Sequence, residues 1–193
     1  MYDDINGLIY YGYFMENFKN FMNMFTGAKK EAKKAQKVPS YIKSDGTKVY
    51  EEVFEYGKKV FEIRPDGLVI SRTYSPDDKL VFSYGRKANY EIGTSYDDDG
   101  KVTCEVTNLY NEHNVQVRNT QVEFEYHDNG EKSREFTTVL PSDEKTEILY
   151  DESGKRTEKI VYKGSVKTWY DENDKPFKRQ IDRGSGGIIT ENL

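Results

Sequence analysis

The sequence has few of the residues on which metal sites and nucleophilic active sites depend. Its 193 residues include one cysteine, Cys104, and two histidines, His113 and His127. A single cysteine excludes an internal disulfide and indicates a reducing compartment, so we expect a cytoplasmic protein. Because these three residues are spread along the chain and no second cysteine is present, a zinc site is disfavoured.

Apolar residues are also scarce, at 35% of the chain, and no run approaches the roughly 18 apolar residues that cross a bilayer. The first residues lack the basic segment and apolar stretch of a signal peptide. Charged residues make up 33%, a composition that disordered chains share. We favour a folded protein, because 16 tyrosines and 10 phenylalanines recur in strand-like runs and bury large areas.

The N-terminal region has the spacing of an amphipathic helix. Aromatic residues and then alanines follow steps of three and four from Phe14 to Ala35, which predicts a helix over residues 14–36, ended by Pro39. Its second half forms a basic patch of Lys29, Lys30, Lys33, Lys34 and Lys37 in a chain of net charge −5. We expect residues 1–40 to pack against the rest of the protein; a membrane-surface helix and a partner-binding or dimerisation helix remain alternatives.

After this helix, short runs of Val, Tyr, Phe and Thr alternate with turn residues, which predicts β-hairpins. The letters "YDDDGK" at 96–101 return as "YHDNGE", "YDESGK" and "YDENDK". We predict each as a hairpin bend. Asp99-Gly100 and Asn129-Gly130 supply the positive φ angles that a two-residue turn requires, and Ser153-Gly154 and Asn173-Asp174 take the same place in the other two. Other turns are predicted at Tyr56–Lys59, Tyr84–Lys87 and Tyr162–Ser165.

Together, these patterns predict a mainly β protein: an antiparallel hairpin meander of about a dozen strands with a repeat of roughly 20–24 residues, preceded by one helix. We assign residues 41–182 to the β-repeat domain and residues 183–193 to a flexible tail.

The units Tyr96–Lys101, Tyr126–Glu131, Tyr150–Lys155 and Tyr170–Lys175, with Tyr162–Ser165 between two of them, resemble bacterial MORN-like and YD-type repeats. They are most similar to the YwqK family of antitoxins. The Gly-Glu-Trp-like element of MORN units is approached only by "GSVKTWY" at 164–170, and the repeat spacing is irregular. The resemblance implies a repeated β-sheet that binds another protein.

No pattern of catalytic or cofactor-binding residues stands out. "DDDG" at 97–100 lacks the first ligand and the final glutamate of a calcium loop, so we interpret it as a turn. Both histidines lie in or beside predicted bends, and Cys104 is predicted to share a core face with Val102 and Val106. "GSGG" at 184–187 lacks the residues of a P-loop. We therefore predict no catalytic residues, no cofactor and no metal.

The sequence favours a non-enzymatic module that binds and inhibits a protein, such as an antitoxin, an immunity protein or a phage-encoded anti-defence inhibitor like an anti-CRISPR protein. The partner would be a toxin or a nucleoprotein defence complex; neither direct nucleic-acid binding nor a membrane is expected. A structural or surface protein that assembles edge to edge is the alternative, ahead of a small hydrolase. The predicted partner-binding residues are Tyr96, Tyr126, Tyr150, Tyr162, Trp169 and Tyr170.

Overall fold

The structure, a computed structural model, describes residues 38–193. The helix predicted over 14–36 and the basic patch from Lys29 to Lys37 lie outside this region. The described residues form fourteen β-strands and one 3₁₀ turn. The strands are β1 (Tyr41–Ile42), β2 (Lys48–Phe54), β3 (Gly57–Ile63), β4 (Val69–Tyr74), β5 (Leu80–Lys87), β6 (Tyr90–Tyr96), β7 (Val102–Tyr110), β8 (Gln116–Tyr126), β9 (Lys132–Leu140), β10 (Glu144–Tyr150), β11 (Arg156–Lys163), β12 (Val166–Tyr170), β13 (Pro176–Asp182) and β14 (Ile188–Asn192).

All fourteen strands belong to one antiparallel sheet, and their order in the sheet is their order in the sequence. The predicted meander is therefore confirmed, with two more strands than the dozen expected. Because every connection is a hairpin, successive bends alternate between the two ends of the strands. β1 and β14 are not paired with each other, so the sheet is open.

The C-terminal residues differ from the prediction of a flexible tail. Ile188–Asn192 form β14, which pairs with β13 from Asp182↔Ile188 to Lys178↔Asn192. The β-branched residues of "IIT" favour an extended strand, and the 3₁₀ turn at Gly184–Gly186 reverses the chain so that they reach β13. The unit that contains the sheet spans Pro39–Leu193.

The repeated bends are longer than the two-residue turns that we predicted. In the bend at 97–101, the Asp97 N–H donates to the Lys101 carbonyl oxygen at 2.9 Å, and the Gly100 N–H donates to the Asp97 carbonyl oxygen at 3.0 Å. Gly100 has φ +80°, whereas Asp99 is not in the left-handed region. The bend is thus a type I turn followed by a glycine bulge. Both turn types use Asp-Gly, so the dipeptide alone could not distinguish them.

The turn predicted at Tyr84–Lys87 is wrong, because these residues belong to β5. The chain reverses instead at Ala88 and Asn89, where Ala88 has φ +50°. Gly85 pairs with Ile92 of β6, and a Cβ atom at Gly85 would lie 3.4 Å from the Ile92 Cγ2 atom. That distance is an ordinary van der Waals contact, so Gly85 is an interior strand residue and does not mark a bend.

The buried apolar core is small and consists of Val49, Tyr84, Val106, Ile160 and Trp169. Three of these lie in residues 48–126, and Ile160 and Trp169 lie in β11 and β12. Within residues 38–193, extensive contacts join only strands that are neighbours in the sheet. Lysine and arginine side chains lie over aromatic rings on both faces, with the charged group 4.5–5.6 Å from the ring centroid. Their alkyl stems shield apolar surface that a second layer would otherwise cover.

The two faces of the sheet can be followed through the cross-strand pairs, because paired residues lie on the same face. Glu147 pairs with Ile160, which pairs with Trp169, and Glu91 lies on this same face. We call it the glutamate face. The other face carries Tyr96, Tyr126 and Tyr150, and we call it the tyrosine face.

Candidate protein-interaction surface

Five bends with the same construction lie at one end of the strands, which we call the repeat end. They are residues 75–79, 97–101, 127–131, 151–155 and 171–175. In each, the first N–H donates to the fifth carbonyl oxygen and the fourth N–H donates to the first carbonyl oxygen, at 2.8–3.1 Å. Each connects an even-numbered strand to the next odd-numbered one, so all five fall at the same end.

The aspartate at the first position of three bends holds the turn together. The Asp97 Oδ1 atom accepts hydrogen bonds from the N–H groups of Asp99 at 3.0 Å and Lys101 at 2.8 Å. Asp151 and Asp171 make the same pair of bonds within their own bends. The Ser153 hydroxyl and the backbone N–H groups lower the pKa of Asp151 below its usual value. The repeated Tyr-Asp letters therefore encode a side-chain cap for the bend.

Neighbouring bends are also bonded to one another. Side chains of one bend, or of the strand that leaves it, donate to backbone oxygens of the next bend: the Lys79 Nζ atom to Asp98 at 2.8 Å, Asn129 Nδ2 to Glu152 at 2.8 Å, and Arg156 Nη2 to Asp171 at 2.8 Å. The His127 Nε2 atom lies 2.9 Å from the Tyr150 carbonyl oxygen. These bonds join the first two bends to each other and the last three to one another. Between the two groups, the Tyr126 hydroxyl donates to the Val102 carbonyl oxygen at 2.7 Å, beside the bends.

The two ends of the sheet carry different charges. The five repeat-end bends contain twelve acidic residues and four lysines, a net charge of −8. The bends at the opposite end are 43–47, 64–68, 88–89, 111–115, 141–143, 164–165 and 183–187. They contain four acidic and three basic residues, a net charge of −1. The structure thus gathers negative charge that is scattered along the sequence.

A row of half-buried tyrosines lies beside these bends on the tyrosine face. Each bend directly follows one of them: Tyr74, Tyr96, Tyr126, Tyr150 and Tyr170. A lysine lies over four of the rings, namely Lys58 over Tyr74, Lys101 over Tyr126, Lys132 over Tyr150 and Lys159 over Tyr170. The strand register shifts at every one of these tyrosines, which is a β-bulge.

The structure divides the six predicted partner-binding residues between the two faces. Tyr96, Tyr126, Tyr150 and Tyr170 belong to the row just described. The other two, Tyr162 and Trp169, lie on the glutamate face. The Tyr162 hydroxyl donates to the Glu147 Oε2 atom at 2.7 Å, and Trp169 is only 8% exposed.

Sequence reasoning missed Tyr74 as a member of the row. Its bend, "SPDDK" at 75–79, has no glycine, and Asp78 takes the left-handed position with φ +62°. Aspartate tolerates this conformation better than most residues. The tyrosine five residues before a lysine was the signal that could have identified the unit.

The predicted candidates for chemistry are kept apart by the fold. His113 and His127 lie in bends at opposite ends of β8, whose eleven residues span about 36 Å. Burial, Glu123 and Glu105 raise the pKa of the Cys104 thiol to about 12. Cys104 pairs with Ser95 and Val106 with Gly93, so these two residues share a face as predicted, whereas Val102 pairs with the adjacent Tyr96 and does not share that face. Among residues 38–193, no three His, Cys, Asp or Glu side chains are grouped to hold a metal ion.

Two Arg–Glu–Tyr clusters lie on the glutamate face. The Glu91 side chain, 2% exposed, accepts a hydrogen bond from the Tyr110 hydroxyl at 2.8 Å and lies 3.4 Å from the Arg86 Nη1 atom. Glu147 is held in the same way by Tyr162 and by the Arg134 Nε atom at 2.7 Å. Burial, followed by the neighbouring glutamate, raises the pKa of both Tyr110 and Tyr162 to about 12. Tyr84 also interacts with Glu91, and the Arg134 Nη1 atom also donates to Glu125 at 2.7 Å. Both glutamates are thus held by protein groups, which indicates a structural role.

These tyrosines make the protein sensitive to alkali. Their pKa is about 12 in the folded state against 10.0 for a free tyrosine, so the unfolded chain loses protons first as the pH rises. The stabilisation is complete below pH 10 and is lost as the pH approaches about 12. We expect urea unfolding to show a falling free energy over this range, with a shallower fall in Tyr110→Phe/Tyr162→Phe. Tyr90→Phe, at an exposed site, is the control, and equal slopes in all three proteins would contradict the prediction.

Among residues 38–193, no helix is long and apolar enough to cross a membrane. The Tyr–bend units that resemble MORN-like repeats form a single row in three dimensions. No protein-family model matches the chain, and a search of curated proteins finds no match.

Proposed function

We propose that this protein is a non-enzymatic module that binds and inhibits a basic protein surface, in a reducing, cytoplasmic environment. The charge of the repeat end carries the proposal: a net −8 over five bends in one row. Adjacent bends are two strands apart, about 9.6 Å, so the row is about 38 Å long. A negatively charged row of this length suits a basic groove such as those that bind nucleic acid.

The repeat end separates carboxylates that build the bends from carboxylates that face solvent. Asp97, Asp151 and Asp171 are occupied by their own backbone. Five other carboxylates of these bends are exposed, namely those of Asp98, Asp99, Asp128, Glu152 and Glu172. Glu172 lies 3.6 Å from the Lys155 Nζ atom, so the carboxylates of Asp98, Asp99, Asp128 and Glu152 are the ones most readily available to a partner without any rearrangement of the bends.

The bonds between bends favour tight recognition. A row fixed by hydrogen bonds loses little conformational freedom when it binds, so more of the interaction energy remains as affinity. The tyrosine row adds the residue type that most often anchors protein interfaces. An antitoxin, an immunity protein or an anti-CRISPR protein would use such a surface to occupy the basic groove of its target.

Two substitutions at matched turn positions test the proposal. Asp128 and Glu112 are both the second residue of a bend, at opposite ends of β8, and both are exposed. We expect Asp128→Lys to weaken binding to the partner at least tenfold, because it places a like charge against a basic surface. Glu112→Lys makes the same change in net charge at the opposite end and is expected to leave binding within twofold.

Tagged wild-type and variant proteins would first recover partners from cell extracts, and each candidate would then be purified and titrated by calorimetry. A protein that binds the wild type and Glu112→Lys but not Asp128→Lys supports the proposal. Equal binding by both variants, or no protein recovered selectively by the wild type, would overturn it.

Assembly of the sheet edge to edge is the second candidate. Along β14, every second backbone N–H group points toward β13. The N–H groups between them, those of Ile188, Thr190 and Asn192, point away from the sheet. No described strand covers this outer edge, and Ile188 is 67% exposed. An uncovered edge with β-branched residues can pair with another strand. Light scattering that shows only monomer at high concentration would exclude this function.

A further inference from the structure

Two lysines on the glutamate face share one aromatic ring. Lys178 is the cross-strand partner of Trp169, and Lys167 lies two residues before Trp169 on the same face. Each Nζ atom lies 4.5 Å from the centroid of the Trp169 ring. The two ammonium groups are therefore at most 9.0 Å apart, twice that distance.

These two lysines lack the carboxylate that their neighbours have. The other strand cations of β9–β13 each lie within 4.0 Å of an acidic side chain: Lys132, Arg134, Lys145, Arg156, Lys159, Lys163 and Arg179. Among residues 38–193, no carboxylate lies within that distance of Lys167 or Lys178. Glu147, on the same face, is already held by Arg134 and Tyr162.

We propose that Lys167 and Lys178 form an oxyanion-binding contact for paired carboxylates in an acidic segment of the protein partner. The two ammonium groups repel each other, and the ring offsets this repulsion only in part. A pair of carboxylates from a partner would supply the missing counter-charge. This inference rests on the proposed function, since Lys178 lies three residues after the repeat-end bend 171–175 and the same partner would reach both.

An acidic protein segment fits this contact better than a nucleic acid does. Proteins that bind single strands offer exposed rings for base stacking, whereas Trp169 is 8% exposed. The net charge of −5 and the acidic repeat end also repel a long polyanion. A short acidic peptide brings its negative charge to the two lysines alone and does not extend along the acidic repeat end.

The chain contains one tryptophan, so its fluorescence reports directly on this contact. Purified protein would be titrated at low ionic strength with a hexaglutamate peptide, with hexaglutamine as the neutral control. We expect a saturable change in Trp169 emission with hexaglutamate only. Lys167→Gln/Lys178→Gln should weaken the binding at least tenfold. Lys48→Gln/Lys163→Gln removes the same charge elsewhere and should keep the affinity within twofold.

Urea unfolding would show that each variant is folded, and Lys178→Arg, which keeps the charge, should retain binding. Absence of a saturable change, or equal weakening in the two double variants, would overturn the inference. Tighter binding of an oligothymidylate than of hexaglutamate would overturn the assignment to an acidic protein segment. The peptide titration contains no partner protein, so its result is independent of the Asp128→Lys test. Peptide binding can fail while the Asp128→Lys test succeeds, and the Asp128→Lys test can fail while peptide binding succeeds.

Discussion

Gly57→Ala is expected to lower the free energy of unfolding by about 3 kcal/mol. Gly57 has φ +134°, a conformation that residues with a side chain rarely adopt. A Cβ atom at this position would lie 2.0 Å from the carbonyl oxygen of Tyr74, which belongs to the backbone of β4. Because backbone cannot turn aside as a flexible side chain can, β3 and β4 would have to separate at the repeat end.

Gly164→Ala is the matched control for this prediction. Gly164 also has a positive φ, +57°, but apart from the glycine and its two chain neighbours no atom of residues 38–193 lies within 4 Å of the position of its Cβ. Its substitution is expected to cost only about 1 kcal/mol, the price of a left-handed alanine. Urea unfolding of the two variants and the wild type measures the difference. Equal losses would mean that the contact with Tyr74 has no part in the effect.

Glu91→Ala is expected to lower the free energy of unfolding by a similar amount, about 3 kcal/mol. The substitution removes the acceptor of the Tyr110 hydroxyl and the counter-charge of Arg86. Because Arg86 is 36% exposed and can turn toward water, we place the loss at the lower limit for breaking a buried pair.

Glu105→Ala controls for the loss of a glutamate from the same sheet. Glu105 lies on the tyrosine face of β7 and pairs with Thr94. We expect its substitution to change the free energy of unfolding by about 0.5 kcal/mol or less. Urea unfolding at neutral pH measures both variants. If both lost the same amount, the cluster around Glu91 would contribute nothing beyond an ordinary strand position.

The bends were predictable because their chemistry is local. Asp97 caps a turn that its own next four residues form, and Gly100 takes the one left-handed position. The letters that repeat are those that make these contacts. Asp174 takes the same position in the recognised unit "YDENDK", whereas the bend with Asp78 was missed as a repeat unit because its first residue is Ser75 and not an acid or histidine. The turn length was mispredicted because the same dipeptide serves two turn types.

The buried glutamates were not predictable in the same way. In "NYEIGTSY", Glu91 alternates with apolar residues and has the pattern of a solvent-exposed strand position. Its partner Tyr110 is 19 residues away, at the end of the next strand. Burial of a charged residue depends on which side chains reach it from other strands, and single-strand periodicity contains no such information.

The sequence by itself determined where the chain turns and which segments are extended, because turn caps, left-handed residues and β-branched runs act over a few neighbours. Only the tertiary structure decided that five of the bends share one end, that a sixth tyrosine-led bend at 111–115 lies at the other, and that Tyr162 and Trp169 face away from the tyrosine row. Each of these outcomes depends on the number of strands between two residues and on the register of every pair, so one additional strand or one shifted pair would move a residue to the other end or the other face.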